Sequence, residues 1–253
     1  ENDNLAIGYN AMTTNTAGGT QNIAIGNYAA DALTSADNNT IIGYNAGTAI
    51  NTGGSNTAIG HESMKATTTG INSTAVGRLA LQANTTGQEN VAVGMQSLQA
   101  NTTGNQNTAL GNYALFTNTT ATGNTAVGER ALRLNETGAS NVAVGRYALT
   151  ANTTAANNTG LGFQALAYNT TGAGNTAVGK DALYSNTTAA DNVAVGRDAM
   201  YANTTGIRNT AIGTNAYDGS DTENDNLAIG FQALTSNTAG GQSNVAVGNY
   251  SMD

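Results

Sequence analysis

The sequence predicts an all-β fold, a parallel β-solenoid of about fifteen 17-residue coils, on three observations. A pentapeptide typified by Asn175-Thr176-Ala177-Val178-Gly179 returns fifteen times, its closing glycine falling at Gly8, Gly26, Gly43, Gly60, Gly77, Gly94, Gly111, Gly128, Gly145, Gly162, Gly179, Gly196, Gly213, Gly230 and Gly248. The steps are 17 residues, with 18 at the first and the last; a unit that short cannot bury its own apolar face and must stack on its neighbours. Hydrophobic residues make up 39% of the chain, yet Trp is absent, Phe numbers 3 and aromatics reach only 5%, too few for a bulky globular core. Proline is absent, as suits a ladder in which nearly every backbone N–H donates to the next coil. One elongated domain over residues 1–253 is expected, roughly 70 Å long at about 4.7 Å per coil.

From Ser73 to Thr210 the consensus reads NTAVGxxALxxNTTGxx, and each column has a physical reading. Positions 2 to 4, rich in β-branched residues, form a short strand. Gly at position 5 ends it, where a turn or a close backbone approach leaves no room for a Cβ. Position 4 is always Val, Ile or Leu and position 9 mostly Leu or Met, so both are expected to point into the coil. Ala at position 3 and Ala or Ser at position 8 imply close packing, while position 2, which alternates Thr with Val, Leu or Ile, is expected to be half exposed. The segment at positions 6 to 11, such as Arg146 to Ala151, reads as a second strand or one short helical turn. Asn-Thr-Thr-Gly at positions 12 to 15 is turn chemistry, with Asn tolerating the left-handed region and Gly supplying positive φ.

Units two to four depart most from this pattern, with Ala29-Ala30, Ile41-Ile42 and Gly47 where a Leu is expected, so local distortion is expected there. A longer repeat lies above the short one. Residues 1–31 align with 223–253 at an offset of 222, identical at 21 of 31 positions and sharing the opening Glu-Asn-Asp-Asn and an extra glycine, Gly19 and Gly241. The chain therefore reads as a window on a longer array with that super-period.

A net charge of −8 spread over this length, with no Lys/Arg cluster, argues against nucleic acid as a partner. No run of about 18 apolar residues is long enough to span a membrane, and no charged n-region with an apolar h-region opens residues 1–253, so the signal of a secreted chain is expected outside this window. The absence of Cys removes disulfides and thiolate metal sites. Charged residues are only 9% and Asn, Thr and Gly are abundant, a composition suited to a stiff extracellular surface. Ordering each coil costs more conformational entropy than two large apolar side chains return, so lateral association with other chains is expected.

Asn141-Val142-Ala143-Val144-Gly145 and Asn226-Leu227-Ala228-Ile229-Gly230 resemble the repeat of trimeric autotransporter adhesin heads of the YadA type, whose motif runs close to SVAIGxxSxAxG. The whole unit, for example Asn124 to Ser140, resembles the NTAVG-type repeats of phage and phage-like tail-fibre proteins, and the likeness covers all fifteen units. That resemblance implies a left-handed β-roll packed as a homotrimer. It further implies a non-enzymatic shaft or head of an extracellular fibre, at a cell surface or on a virion, serving attachment. Its partners would be other copies of itself and a surface glycan. The unit is longer than the adhesin unit by its Leu-x-x-Asn-Thr-Thr segment, which changes the cross-section. Two other readings stand beside it: a stand-alone microbial surface filament, and direct binding of ice or polysaccharide through the Thr column at position 13.

Candidate sites are few, and neither a catalytic residue, a cofactor nor a metal centre is assigned. His61, the only histidine, sits at a variable position beside Glu62 and reads as a solvated side chain. Gly160-Leu161-Gly162-Phe163-Gln164-Ala165 matches the dinucleotide fingerprint in form alone, its glycines being repeat positions 3 and 5. Glu1-Asn2-Asp3-Asn4 and Glu223-Asn224-Asp225-Asn226 could offer oxygens to Ca²⁺ but read first as Asx-rich turns. Asp181, Asp191 and Asp198, the nearest approach to clustered carboxylates, are expected in different columns. Asn84, Asn101, Asn118, Asn135, Asn152, Asn169, Asn186 and Asn203 each open an N-x-T sequon. They could carry a row of glycans, or form a stacked Asn ladder sharing side-chain hydrogen bonds. The aromatics Tyr9, Tyr28, Tyr44, Tyr113, Phe116, Tyr147, Phe163, Tyr168, Tyr184, Tyr201, Phe231 and Tyr250 crowd positions 6, 7, 10 and 11, where they are expected at seams between chains or at a glycan surface.

Overall fold

The computed structural model describes residues 3–15, 18–219, 221–235 and 241–252. The chain forms two compact units, Glu1–Asn124 and Thr125–Asp253. Unit one holds seven strands: β1 (Leu5–Ile7), β2 (Ile23–Ile25), β3 (Thr40–Ile42), β4 (Thr57–Ile59), β5 (Thr74–Val76), β6 (Val91–Val93) and β7 (Thr108–Leu110). Unit two holds eight: β8 (Thr125–Val127), β9 (Val142–Val144), β10 (Thr159–Leu161), β11 (Thr176–Val178), β12 (Val193–Val195), β13 (Thr210–Ile212), β14 (Leu227–Ile229) and β15 (Val245–Val247). Within each unit the strands pair in parallel in chain order, with register steps of one repeat, such as Thr57 opposite Thr74 and Val142 opposite Thr159. Each unit is therefore an all-β parallel solenoid. Among the described residues there is no helix.

Each strand is positions 2 to 4 of the repeat, and its side chains alternate between the two faces. Ala at position 3 points inward and is fully buried, as at Ala75, Ala143 and Ala177. Positions 2 and 4 consequently share the outer face. The expectation that position 4 points into the coil is overturned: Val93, Leu110, Val144 and Ile212 are 36 to 40% exposed. Alternation puts position 3 on one face and positions 2 and 4 on the other, and the narrow interior takes the face that carries the single small Ala.

The inner space is filled from elsewhere in the coil. Position 8 and position 9 are fully buried, as in the pairs Ala80-Leu81 and Ala148-Leu149. Positions 6 to 11 form neither a strand nor a helical turn. They are irregular backbone with left-handed residues at positions 7 and 9, for example Tyr147 (φ 61) and Leu149 (φ 50). Bonds between coils, such as Leu149 N–H to the Ala165 carbonyl at 2.9 Å and Tyr147 N–H to the Glu129 carbonyl at 3.0 Å, alternate with tight turns such as Ala148 N–H to the Gly145 carbonyl at 3.2 Å. A third non-glycine left-handed site is position 17, as at Ser140 (φ 57). Positions 12 and 15 do not supply the positive φ expected of them, since none of the buried Asn or Gly residues in those columns adopts it.

Units two to four, where local distortion is expected, keep the strand register. What changes in units two and three is where the bulk comes from. Position 9 shrinks to Ala30 and Gly47, and position 12 grows to Leu33 and Ile50, both fully buried. Ile41 also replaces Ala at position 3, and a Cβ on Gly47 would lie 2.8 Å from Ile50 Cδ1 and 3.1 Å from Ile41 Cγ2.

Candidate functional site

Two columns of asparagine run inside each solenoid. At position 12, Asn101 Nδ2 donates to Asn84 Oδ1 at 2.9 Å and Asn118 Nδ2 to Asn101 Oδ1 at 2.9 Å in unit one. In unit two, Asn152, Asn169, Asn186 and Asn203 donate to the Asn one coil earlier at 2.8, 2.9, 2.7 and 3.2 Å. The second amide proton of each reaches the carbonyl of position 15, as from Asn152 to Ala155 at 3.0 Å. All eight sequon asparagines, Asn84 through Asn203, are fully buried. An attached glycan would need both space and the Nδ2 protons already used inside the coil.

The asparagine at position 1 forms a further interior column that the consensus alone did not single out. Asn141 Nδ2 spans the coil to the Ala155 carbonyl at 2.8 Å, and Asn141 Oδ1 accepts the Asn158 backbone N–H at 2.9 Å. Buried amides are tolerated because each is hydrogen-bonded, and exact repetition of the coil presents each amide with the same partners one coil away. The signal for this column was its recurrence at the strand entrance, which reads equally well as a turn residue. Unit two also contains a variation on the theme. In the coil of β13 position 9 is Tyr217, buried, and its hydroxyl accepts from Asn226 Nδ2 at 2.7 Å.

The outer face carries three features. First, positions 2 and 4 of the strands form an apolar stripe. Position 4 is Val, Ile or Leu in every coil, and from β8 to β13 position 2 runs Thr, Val, Thr twice over. In unit two Thr125/Val127, Val142/Val144 and Thr159/Leu161 are followed by Thr176/Val178, Val193/Val195 and Thr210/Ile212. Second, position 14 is an exposed Thr column: Thr52, Thr69, Thr86, Thr103 and Thr120 in unit one, Thr137, Thr154, Thr171, Thr188, Thr205 and Thr222 in unit two. The neighbouring Thr at position 13 is only half exposed, and its hydroxyl is committed to the next coil, as from Thr85 to the Thr102 carbonyl at 3.0 Å.

Third, the aromatics pack on one another down the outside of the coils. Tyr9, Tyr28 and Tyr44 meet edge to face at 5.5 and 6.1 Å, and His61 stacks on Tyr44 at 5.5 Å. Tyr113 meets Phe116, Tyr147 meets Phe163 and Phe231 meets Tyr250 at 5.3 to 6.4 Å. Tyr184 sits between Tyr168 at 4.9 Å and Tyr201 at 5.0 Å. Its hydroxyl donates to Tyr168 at 3.5 Å, and this bond, with burial second, raises its pKa to about 12.

The remaining sequence candidates do not converge. Gly160 lies in β10, and the strand is followed by the same turn as every other coil. Glu1 and Asn2 lie outside the described residues. In the matching segment Asp225 is paired with Arg208 at 2.6 and 2.8 Å, Asn224 Oδ1 accepts the Ile207 N–H at 2.7 Å, and Asn226 is taken up by the interior ladder. Among the described residues no three His, Asp or Glu side chains are grouped to hold a metal ion, and no helix is long and apolar enough to cross a membrane. The carboxylates need a correction: Asp181 and Asp198 share position 7 on successive coils, and only Asp191 falls in another column, position 17. Asp181 and Asp198 line a cavity of about 390 Å³ with Tyr201, Asn215 and Asp218.

Fold and surface together define a tandem-repeat β-solenoid with an amide-laddered interior. Neither a scan of family models nor a search of curated proteins returns a match.

Proposed function

We propose that this chain is a structural, non-catalytic segment of an extracellular fibre, associated laterally with other copies of itself as a trimer and serving attachment at a cell surface or on a virion. The observation that carries the reading is the outward aliphatic column at position 4, flanked at position 2 by Thr or an aliphatic residue. A column of Val, Ile and Leu repeated in every coil on a sheet's outer face is a surface to be covered. Its three-coil modulation from β8 to β13 favours a partner with the same period, which another copy has. The interior supports the same reading, because laddered amides and Ala make a coil that is stiff and thin but poor in apolar burial. Light scattering of the purified chain with negative-stain images tests it. A discrete mass near three chains as short rods is the expected result, open-ended polymers would favour a stand-alone filament, and a well-folded monomer would overturn lateral association.

The Thr column at position 14 favours a second reading, direct binding of ice. Within each unit its members are exposed in successive coils, and no aromatic or charged residue interrupts it from Thr52 to Thr120 in unit one or from Thr137 to Thr222 in unit two. Coil spacing of about 4.8 Å sets the period. Thermal hysteresis in the wild type, abolished by Thr154→Lys with Thr171→Lys, is the outcome that would establish it.

A further inference from the structure

We propose that the cavity between the coils of β11, β12 and β13 is a binding site for a primary ammonium group. The argument begins with how positions 7 and 10 face each other across the turn. In several coils they close on each other: Glu62 with Lys65 at 2.9 Å, Gln96 with Gln99 at 2.7 Å, Asn215 with Asp218 at 2.8 Å. The acidic case is the informative one. Glu62 at position 7 receives the Lys65 ammonium from position 10 of its own coil and the Gln82 amide, at 2.6 Å, from position 10 of the next.

In the coils of β11 and β12, position 7 is again acidic, with Asp181 and Asp198, but the places that Lys65 and Gln82 fill in unit one hold Tyr184, Tyr201 and Asp218. None of these supplies an ammonium. The two tyrosines stack on each other instead, centroids 5.0 Å apart and planes at 6°, which covers one face of Tyr201. The space left is the cavity lined by Asp181, Asp198, Tyr201, Asn215 and Asp218. Asp181 is 8% exposed, and its Oδ1 is buried with no hydrogen-bond donor.

Charge agrees with this occupant. Lys180 and Arg197 pair with Asp181 and Asp198 from position 6, at 3.0 and 3.2 Å. Asp218 is held by the neutral Asn215 amide. Three carboxylates against two cations leave one negative charge beside the ring of Tyr201, which is 40% exposed. A compact monocation with three donors, able to sit against an aromatic ring, matches that set. The Glu62–Lys65 pair is this chain's own example of the same chemistry.

The ammonium could come from a free diamine or from a lysine side chain of another protein, and titration distinguishes them. With isotope-labelled chain, 1,5-diaminopentane and Nα-acetyl-lysine amide are titrated separately while the amide signals of Asp198 and Asn215 are followed. Saturable shifts with both probes are expected for a site open to protein lysines, and shifts with the diamine alone for a free polyamine. Asp198→Asn with Asp218→Asn is expected to weaken binding at least tenfold. Tyr201→Lys, which restores the unit-one arrangement by placing an internal ammonium opposite Asp198, is expected to abolish binding while the rest of the spectrum is kept. No saturable shift with either probe, equal binding to the double Asp variant, or calcium bound at these residues in place of the amines would overturn the proposal.

Discussion

A single glycine shows how little slack the coil has. Gly145 closes β9 with φ 134, and a Cβ built there would lie 2.3 Å from the Gly162 carbonyl oxygen in the next coil. Both the backbone angle and the contact exclude a side chain, and the contact is with backbone that cannot move without shifting the ladder. Gly145→Ala is expected to cost about 2–4 kcal/mol, read as a lower urea midpoint at unchanged slope. The sequon asparagines are tied down just as tightly. With every one of them fully buried, intact mass is expected to equal the sequence mass of 25.4 kDa in a glycosylating host; added hexose mass at these positions would show that the coil is modified before it closes. Tyr184 gives a residue-scale signal in alkali. Its raised pKa comes first from the hydrogen bond to Tyr168, so the neutral form is favoured in the folded state. The associated stability is complete below the ordinary tyrosine pKa and is lost as pH rises through the folded value of about 12. An ultraviolet titration is expected to show one late tyrosine, absent in Tyr168→Phe.

At the scale of the coil, position 9 and position 12 behave as one volume. Leu149 and Asn152 fill it in the regular coils, whereas Ala30 with Leu33 and Gly47 with Ile50 fill it in the irregular ones. Asn152→Leu alone overfills the space and strands the Asn169 amide, which donates to Asn152 Oδ1 at 2.9 Å. Leu149→Ala alone leaves a cavity costing roughly 2–5 kcal/mol. The pair Leu149→Ala with Asn152→Leu is expected to cost less than the sum by about 1 kcal/mol or more, measured as a double-mutant cycle by urea denaturation. Strict additivity would mean that the two positions do not share space. This exchange was only half legible in the sequence. Gly47 announced itself as a missing Leu, but the compensating Ile50 sits three residues on and reads as an isolated oddity until the fold brings the two columns together. The strands, their period and the glycine column that closes them were legible because strand chemistry and glycine geometry are local. The direction of position 4 was not. Periodic aliphatics ordinarily mark a core, and only the narrowness of the coil, which Ala at position 3 fills, sends them outward. The cavity at Asp181, Asp198 and Asp218 was hidden for a related reason. Its walls come from three coils, and it exists because Tyr184 and Tyr201 stand where Lys65 and Gln82 stand in unit one.

For the molecule as a whole, the decisive surface is the one that the sequence assigns to the inside. Val144 and Val178 in unit two project outward from β9 and β11, so a charge placed on them meets solvent in an isolated chain and a desolvated partner in an assembled one. The two situations separate folding from association. Val144→Asp with Val178→Asp is expected to cost about 1 kcal/mol or less per site through strand propensity, leaving the far-ultraviolet dichroism unchanged. Across a chain–chain contact the same aspartates would be buried without a partner, which costs several kcal/mol each. The expected result is therefore a folded monomer in light scattering where the wild type gives a discrete larger mass. Were the variant to keep that larger mass, the stripe could not be the contact, and association would have to be sought through the aromatic columns. Loss of the dichroism signal would instead mean that the outer face is needed for the coil itself, and the narrow interior would then be insufficient to hold the chain without its neighbours.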